Sequence, residues 1–197
     1  MKEKINPRFW VLLCIIIVAG IFRVLTASKV LTPLTNFTPI GAMAFFGGCY
    51  FRKRWAAYLF PLMALWLSDI FINSFIINRE WVIFYDGFIW VYASFALMVW
   101  FGHFVKTVSV KSVALLAIVG TVAHWLITDL GVWLSGINVA TGLPFSRDWE
   151  GLVTCYVLAI PFMKNMLVSN LIFGAIFFGA FESVHRLFPK LKLEVSS

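Results

Sequence analysis

Apolar residues fall into long runs separated by short polar clusters. Six runs are uniform enough to predict helices that cross a membrane, at residues 9–27, 39–51, 55–76, 82–105, 112–135 and 163–184. A further apolar piece, 151–160, ends at Pro161 and is too short to span, so it predicts an interfacial or re-entrant segment. The pattern predicts an all-α membrane protein, a single transmembrane domain over residues 1–197 built as a six-helix bundle.

The second run is unusually short. Its 13 residues, 39–51, make a helix of roughly 20 Å against a hydrocarbon core of about 30 Å. Thr38 and Pro39 are typical of a helix start. The connection 28–37 is therefore expected to dip into the membrane and to leave an outward-facing cavity. The free N–H groups of the short helix would lie at the bottom of this cavity and would suit an anionic or carbonyl group. The alternative is a helix that begins near Leu31, kinks at the proline and leaves no cavity.

Composition excludes a water-soluble protein. Of the 197 residues 61% are hydrophobic and 13% charged, and the mean hydropathy is +0.91, whereas about a quarter of the residues of soluble domains are charged. The net charge of +7 does not predict nucleic-acid binding, because the cations sit in short clusters at the ends of apolar runs. The first 27 residues resemble a signal peptide, but the long apolar run and Arg23 favour a retained helix.

Lysine and arginine indicate the orientation. Eleven cations fall on the side that holds both termini, and three fall on the other side. The positive-inside rule then predicts cytoplasmic termini in a bacterial inner (plasma) membrane, with the lipid bilayer as the surrounding solvent.

Five charged residues lie within the outer portions of the predicted spans, where charges are expensive and often functional. They are Arg23, Asp69, Asp86, Asp129 and Lys164. Helical spacing puts an indole beside each carboxylate, and we predict a ligand site lined by Arg23, Asn36, Trp66, Asp69, Asn73, Asp86, Trp90, Trp125, Asp129, Trp133, Lys164 and Asn165. The segments 28–37, 78–81 and 138–150 would close it. The alternative is interfacial tryptophans and ion pairs that only join helices.

Other features are less informative. The three cysteines form no metal-ligand spacing, and no nucleophile, phosphate-loop or zinc-protease motif is present, so we expect neither an enzyme nor a cofactor or metal. His124 is expected to be a satisfied core residue. The small pairs Ala44/Gly48 and Ala175/Gly179 permit close helix approach, either within the bundle or against another membrane subunit.

Three segments, NFTPIGAMAFFGG, PLMALWLSDIF and GLVTCYVLAIPFMKN, resemble a group of uncharacterised bacterial membrane proteins. That group is placed with the substrate-binding S components of energy-coupling-factor transporters. The resemblance implies six helices, an outward-facing pocket for a vitamin-like small molecule, and delivery with a transmembrane coupling subunit and two ATPases. A cobalamin-binding relative ligates cobalt through a cysteine, for which Cys155 is the candidate here. The first helix departs from the family, because it offers only Ala19 and Gly20 instead of an Ala-x-x-x-Ala docking motif.

The sequence therefore predicts a membrane protein that binds a small organic solute for uptake. Two alternatives stay open: an accessory subunit whose polar residues only join helices, and a solitary or proton-coupled transporter. No inverted repeat supports the latter.

Overall fold

The computed structural model describes residues 7–27, 34–51, 53–77, 80–138 and 141–187. Over these residues the chain forms six helices and no strand beyond an isolated bridge between Ile137 and Pro144. The helices are α1 (Pro7–Ala27), α2 (Ile40–Tyr50), α3 (Arg54–Phe71), α4 (Phe88–His103), α5 (Val110–Ser135) and α6 (Trp149–Leu187), and a π-helical turn, Ile72–Ile77, continues α3.

The prediction of an all-helical chain is confirmed. By length and composition, three of the described helical stretches can cross a membrane: Arg54–Ile77, Val110–Ser135 and Trp149–Ser183. These stretches support a membrane protein. The helices α2 and α4 are apolar but shorter.

Helix α2 lies at the centre of the bundle. It packs against α3, α4, α5 and α6, and its residues from Ile40 to Phe45 are buried together with Gly47 and Gly48. Around it α1 packs on α3, α3 on α4, α4 on α5 and α5 on α6. The ring of Phe22 on α1 packs edge-on against the ring of Phe173 on α6, with ring centroids 5.3 Å apart. Helices α3, α4, α5 and α6 therefore pack around α2, and α1 packs on α3 and contacts α6.

Glycine allows α2 to approach its neighbours closely. A Cβ on Gly48 would lie 2.2 Å from the carbonyl oxygen of Val99 and 2.8 Å from the Cα of Gly102 on α4. A Cβ on Gly47 would lie 3.0 Å from the carbonyl oxygen of Ala57 on α3. The predicted close packing at Gly48 is confirmed, and its neighbour is α4 of the same bundle. Gly179, by contrast, has nothing within 4 Å of the position its Cβ would take.

The prediction of a short second helix is also confirmed. Helix α2 has 11 residues, a length of about 16 Å. Its first intrahelical bond runs from the Met43 N–H to the Pro39 carbonyl at 2.9 Å, so Pro39 is the N-cap, one residue later than predicted. Thr38 Oγ1 accepts from the Ile40 N–H at 3.4 Å. Residues 35–39 are not helical, so the alternative of a kinked helix from Leu31 is wrong.

The described part of the connection before α2, residues 34–39, packs against the bundle. The Phe37 ring contacts Phe22 and Phe173, with ring centroids 5.8 Å from each. Asn165 Nδ2 donates to the Thr35 carbonyl at 3.0 Å, and Ser169 Oγ donates to the Thr38 carbonyl at 3.1 Å. The first turn of α2 is therefore packed against α6, so its described residues do not form the bottom of an open cavity. Residues 28–33 of the proposed closing segment lie outside the described residues.

Two predicted boundaries are wrong. The fourth span was expected from residue 82, but α4 begins at Phe88, because Gly87 adopts φ 82° in a turn that includes Asp86. A break was expected at Pro161, but α6 is continuous over 39 residues, about 58 Å. Buried side chains on both sides of the proline, Cys155 and Met166 among them, hold α6 against its neighbours, so packing overrides the local helix-breaking preference.

Candidate functional site

One group of predicted site residues forms an ion pair between α1 and α3. Arg23 Nη1 lies 2.8 Å from Asp69 Oδ1 and also donates to Ser68 Oγ at 3.1 Å. The Tyr92 hydroxyl of α4 donates to the other carboxylate oxygen at 3.0 Å. The side chain of Asp69 is 5% exposed and that of Arg23 19%. The charge of Asp69 is therefore compensated within the protein.

Two further predicted residues lie beside this ion pair. Asn73 Nδ2 donates to the Asp69 carbonyl at 2.8 Å, where α3 passes into the π-helical turn. The Trp66 ring packs near Phe84, with centroids 6.4 Å apart. Trp66 Nε1 is buried and finds no acceptor among the described residues.

A second group lies between α5 and α6, around Asp129. Cys155 Sγ contacts the Asp129 carbonyl at 3.5 Å, and the Tyr156 hydroxyl donates to the Leu126 carbonyl at 2.7 Å. The Trp125 ring packs edge-on against the Tyr156 ring, with ring centroids 5.1 Å apart. The Asp129 carboxylate is partly buried and forms no ion pair within the described part of the chain. Trp125 Nε1 is buried and likewise lacks an acceptor there.

The second indole of α5, that of Trp133, has partners from the loop before α6. Trp133 Nε1 donates to the Ser146 carbonyl at 2.9 Å, and the guanidinium carbon of Arg147 lies 5.6 Å from the centroid of the Trp133 ring. Asp148 Oδ1 accepts from Ser146 Oγ and from the Gly151 N–H, both at 2.8 Å. These bonds hold the pKa of Asp148 below its usual value and cap the start of α6.

Several predicted residues lie apart from both groups. Asp86 and Lys164 are exposed. Asn36 is exposed with φ 65°, a conformation that asparagine tolerates better than most residues. Trp90 packs against Gly131, where a Cβ would lie 2.4 Å from the indole ring. Asp86 and Trp90 do not share a helical face, because Asp86 precedes α4.

None of the predicted ligand-site residues lines the cavity that lies beside Ser74 and Trp81. This cavity has a volume of about 250 Å³ and is lined by Ser74, Phe75, Glu80 and Trp81, at the π-helical turn. Glu80 and Trp81 belong to the predicted closing segment 78–81. In the described residues no cluster of three or more His, Cys, Asp or Glu side chains is suited to a metal ion.

Comparison with known proteins gives one match. A family model described as "Family of unknown function (DUF6580)" matches residues 3–191. The chain belongs to this DUF6580 family. No curated protein matches the chain. No solved structure matches it either.

Sequence reasoning missed the cross-helix partners in this DUF6580 protein. Tyr92, which binds Asp69, lies three residues before the buried Phe95, so the inward face of α4 was a usable signal. Tyr156 and the contact of Cys155 with Asp129 had no such signal, because 151–160 was not expected to continue the last span. His124 is half-buried rather than a core residue, and its Nδ1 lies 2.6 Å from Ser94 Oγ.

Proposed function

We propose that this DUF6580 protein is a multi-pass protein of the bacterial inner membrane that binds a small organic solute for uptake. In this proposal six helices span or enter the membrane, both termini are cytoplasmic, and the solute binds near the outer ends of α5 and α6. The resemblance to S components adds a vitamin-like substrate, a transmembrane coupling subunit and ATPases as partners.

The observation that carries the proposal is, within the described part of the chain, a carboxylate without a cation, at Asp129, next to an indole N–H without an acceptor, at Trp125. Its carboxylate has no cation, and the indole N–H of Trp125, one helical turn away, has no acceptor among the described residues. A buried polar group without a hydrogen-bond partner costs about 1–3 kcal/mol, and a buried charge costs more. A bound solute that supplies both partners would offset these costs. Asp69 differs, because Arg23 and Tyr92 already satisfy it.

A second candidate function is an accessory membrane subunit without a ligand. It is favoured by the Arg23–Asp69 ion pair, which joins α1 to α3 inside the bundle. The exposed Ala175 and Gly179 of α6 would then contact another subunit.

Native mass spectrometry of the gently extracted protein distinguishes the two functions. We expect a co-purifying small molecule on the wild type that is lost in Asp129→Ala and retained in Glu182→Gln, which alters a carboxylate bonded to Tyr50 near the other end of α6. Both variants should elute as single species, which separates loss of ligand from misfolding. A ligand-free wild type with another membrane protein attached would support the accessory subunit.

A further inference from the structure

We infer that the solute is a small organic cation with a flat ring and a hydrogen-bond acceptor, held between the Asp129 carboxylate and the Trp125 indole. This inference rests on the proposed function and specifies its substrate class. It follows from the charge, the aromatic surroundings and the unpaired donor at one place on α5.

Asp69 of α3 and Asp129 of α5 differ in the charges that surround them. Asp69 is held by an internal guanidinium at 2.8 Å. Asp129 has no such partner in the described chain, and the Thr128 hydroxyl is the polar group beside it. Lys164 does not reach it and is exposed on α6. A partly buried carboxylate attracts a cation strongly, because little water screens the charge.

The side chains next to Asp129 on α5 and α6 include three aromatic rings. Trp125 precedes it by one turn of α5, Trp133 follows it by one turn, and Tyr156 of α6 packs edge-on against Trp125. Aromatic faces attract cations, and indole is the strongest of them. The protein already uses this attraction next to the site, where the Arg147 guanidinium lies 5.6 Å from the Trp133 ring centroid.

The unpaired donor adds a second requirement. Trp125 Nε1 is an N–H donor without acceptor capacity, and it is buried without a partner among the described residues. The solute must therefore present a carbonyl or similar acceptor on the side of Trp125. Residues one turn apart on a helix have Cβ atoms about 5–6 Å apart, so one small molecule can contact both side chains.

Equilibrium dialysis with three probes of one ring shape tests the inference. The probes are 1-methylnicotinamide, which is a cation, nicotinamide, which is neutral, and nicotinate, which is an anion. We expect the wild type to bind 1-methylnicotinamide saturably and at least about tenfold more tightly than the other two. Asp129→Asn should abolish this preference, and Glu182→Gln, which alters a carboxylate near the other end of α6, should retain it.

Trp125→Phe separates the two contacts. It keeps an aromatic face and removes the N–H, so binding should weaken several-fold while the preference for the cation persists. Equal binding of all three probes, preference for nicotinate, or no saturable binding of any probe overturns the cationic substrate class. A co-purifying neutral or anionic molecule, released by Asp129→Ala, would overturn it while leaving the proposed function intact. Retention of the cation preference by Asp129→Asn would also overturn the inference.

Discussion

Asp69 and Asp129 show how a residue's role depends on partners from distant parts of the chain. Each lies on an apolar helix with a tryptophan three or four residues earlier. Arg23 and Tyr92 reach Asp69 from α1 and α4, whereas α6 brings Cys155 and Tyr156 near Asp129 and no cation. The first arrangement joins helices, and the second leaves the Asp129 carboxylate without a cation from the described part of the chain.

Removal of one member of the Arg23–Asp69 pair should destabilise the protein. Arg23→Gln leaves a carboxylate that is 5% exposed without its cation, and loss of one partner of a buried pair costs about 3 kcal/mol or more. We expect a lower midpoint of thermal unfolding in detergent. The double variant Arg23→Gln/Asp69→Asn should recover part of the loss, because no unpaired charge remains. If the double variant loses as much stability as Arg23→Gln and Asp69→Asn lose together, a paired role would be contradicted.

Asp148 should stabilise the start of α6 in a pH-dependent manner. Its hydrogen bonds to the Gly151 N–H and the Ser146 hydroxyl lower its pKa. A carboxylate with a lowered folded-state pKa stabilises the protein above its unfolded-state pKa, and the stabilisation is lost as pH falls through the folded-state value. Asp148→Ala should therefore unfold at a lower temperature than wild type at neutral pH.

The difference in unfolding temperature between Asp148→Ala and the wild type should shrink only below about pH 4. Unfolding scans of both proteins from neutral to acidic pH would measure it. Asp148→Asn, which keeps a capping oxygen, is the matched control and should lose less stability than Asp148→Ala at neutral pH. A difference independent of pH would show that the carboxylate charge does not contribute.

At the scale of elements, the sequence predicted the features that depend on residues close together in the chain. The positions of the apolar runs, the short α2 and its glycines followed from the sequence. The start of α4 was misplaced because the turn at Gly87 interrupts an apolar run. The continuity of α6 through Pro161 was missed because long-range packing decides it. The spacing of Trp125 and Asp129 was predictable because both residues lie on one helix. Their neighbours from α6 were not predictable in this way.

The crossing of α2 and α4 should tolerate no side chain at Gly48. In Gly48→Ala the new methyl group would lie 2.2 Å from the Val99 carbonyl oxygen, and the helices must separate to relieve the clash. Overpacking of this kind costs about 1–3 kcal/mol, so the midpoint of thermal unfolding should fall. Gly179→Ala, at an exposed helical position with open space, is the control and should leave stability equal or slightly higher.

At the scale of the whole molecule, the central position of α2 explains how a helix of 11 residues can exist in a membrane protein. Backbone groups beyond its ends would be unsatisfied in lipid. Here α6 side chains bind the carbonyls of Thr35 and Thr38 before α2 begins. The Phe51 N–H, just past its end, bonds to the Gly47 carbonyl. The backbone groups at both ends of α2 are therefore satisfied within the protein, and α6 supplies the partners at its start.

The distribution of cations predicts a six-span topology that can be tested directly. The connection between α4 and α5 carries Lys106 and Lys111 and should be cytoplasmic, whereas the connection between α5 and α6 should face outward. Helix α5 joins them and, with 26 residues, spans about 39 Å. In a cysteine-free background, Gly142→Cys should react with a membrane-impermeant maleimide on intact cells. Thr107→Cys should react only after permeabilisation, and the reverse pattern would invert the orientation and move the Asp129 site to the cytoplasmic side.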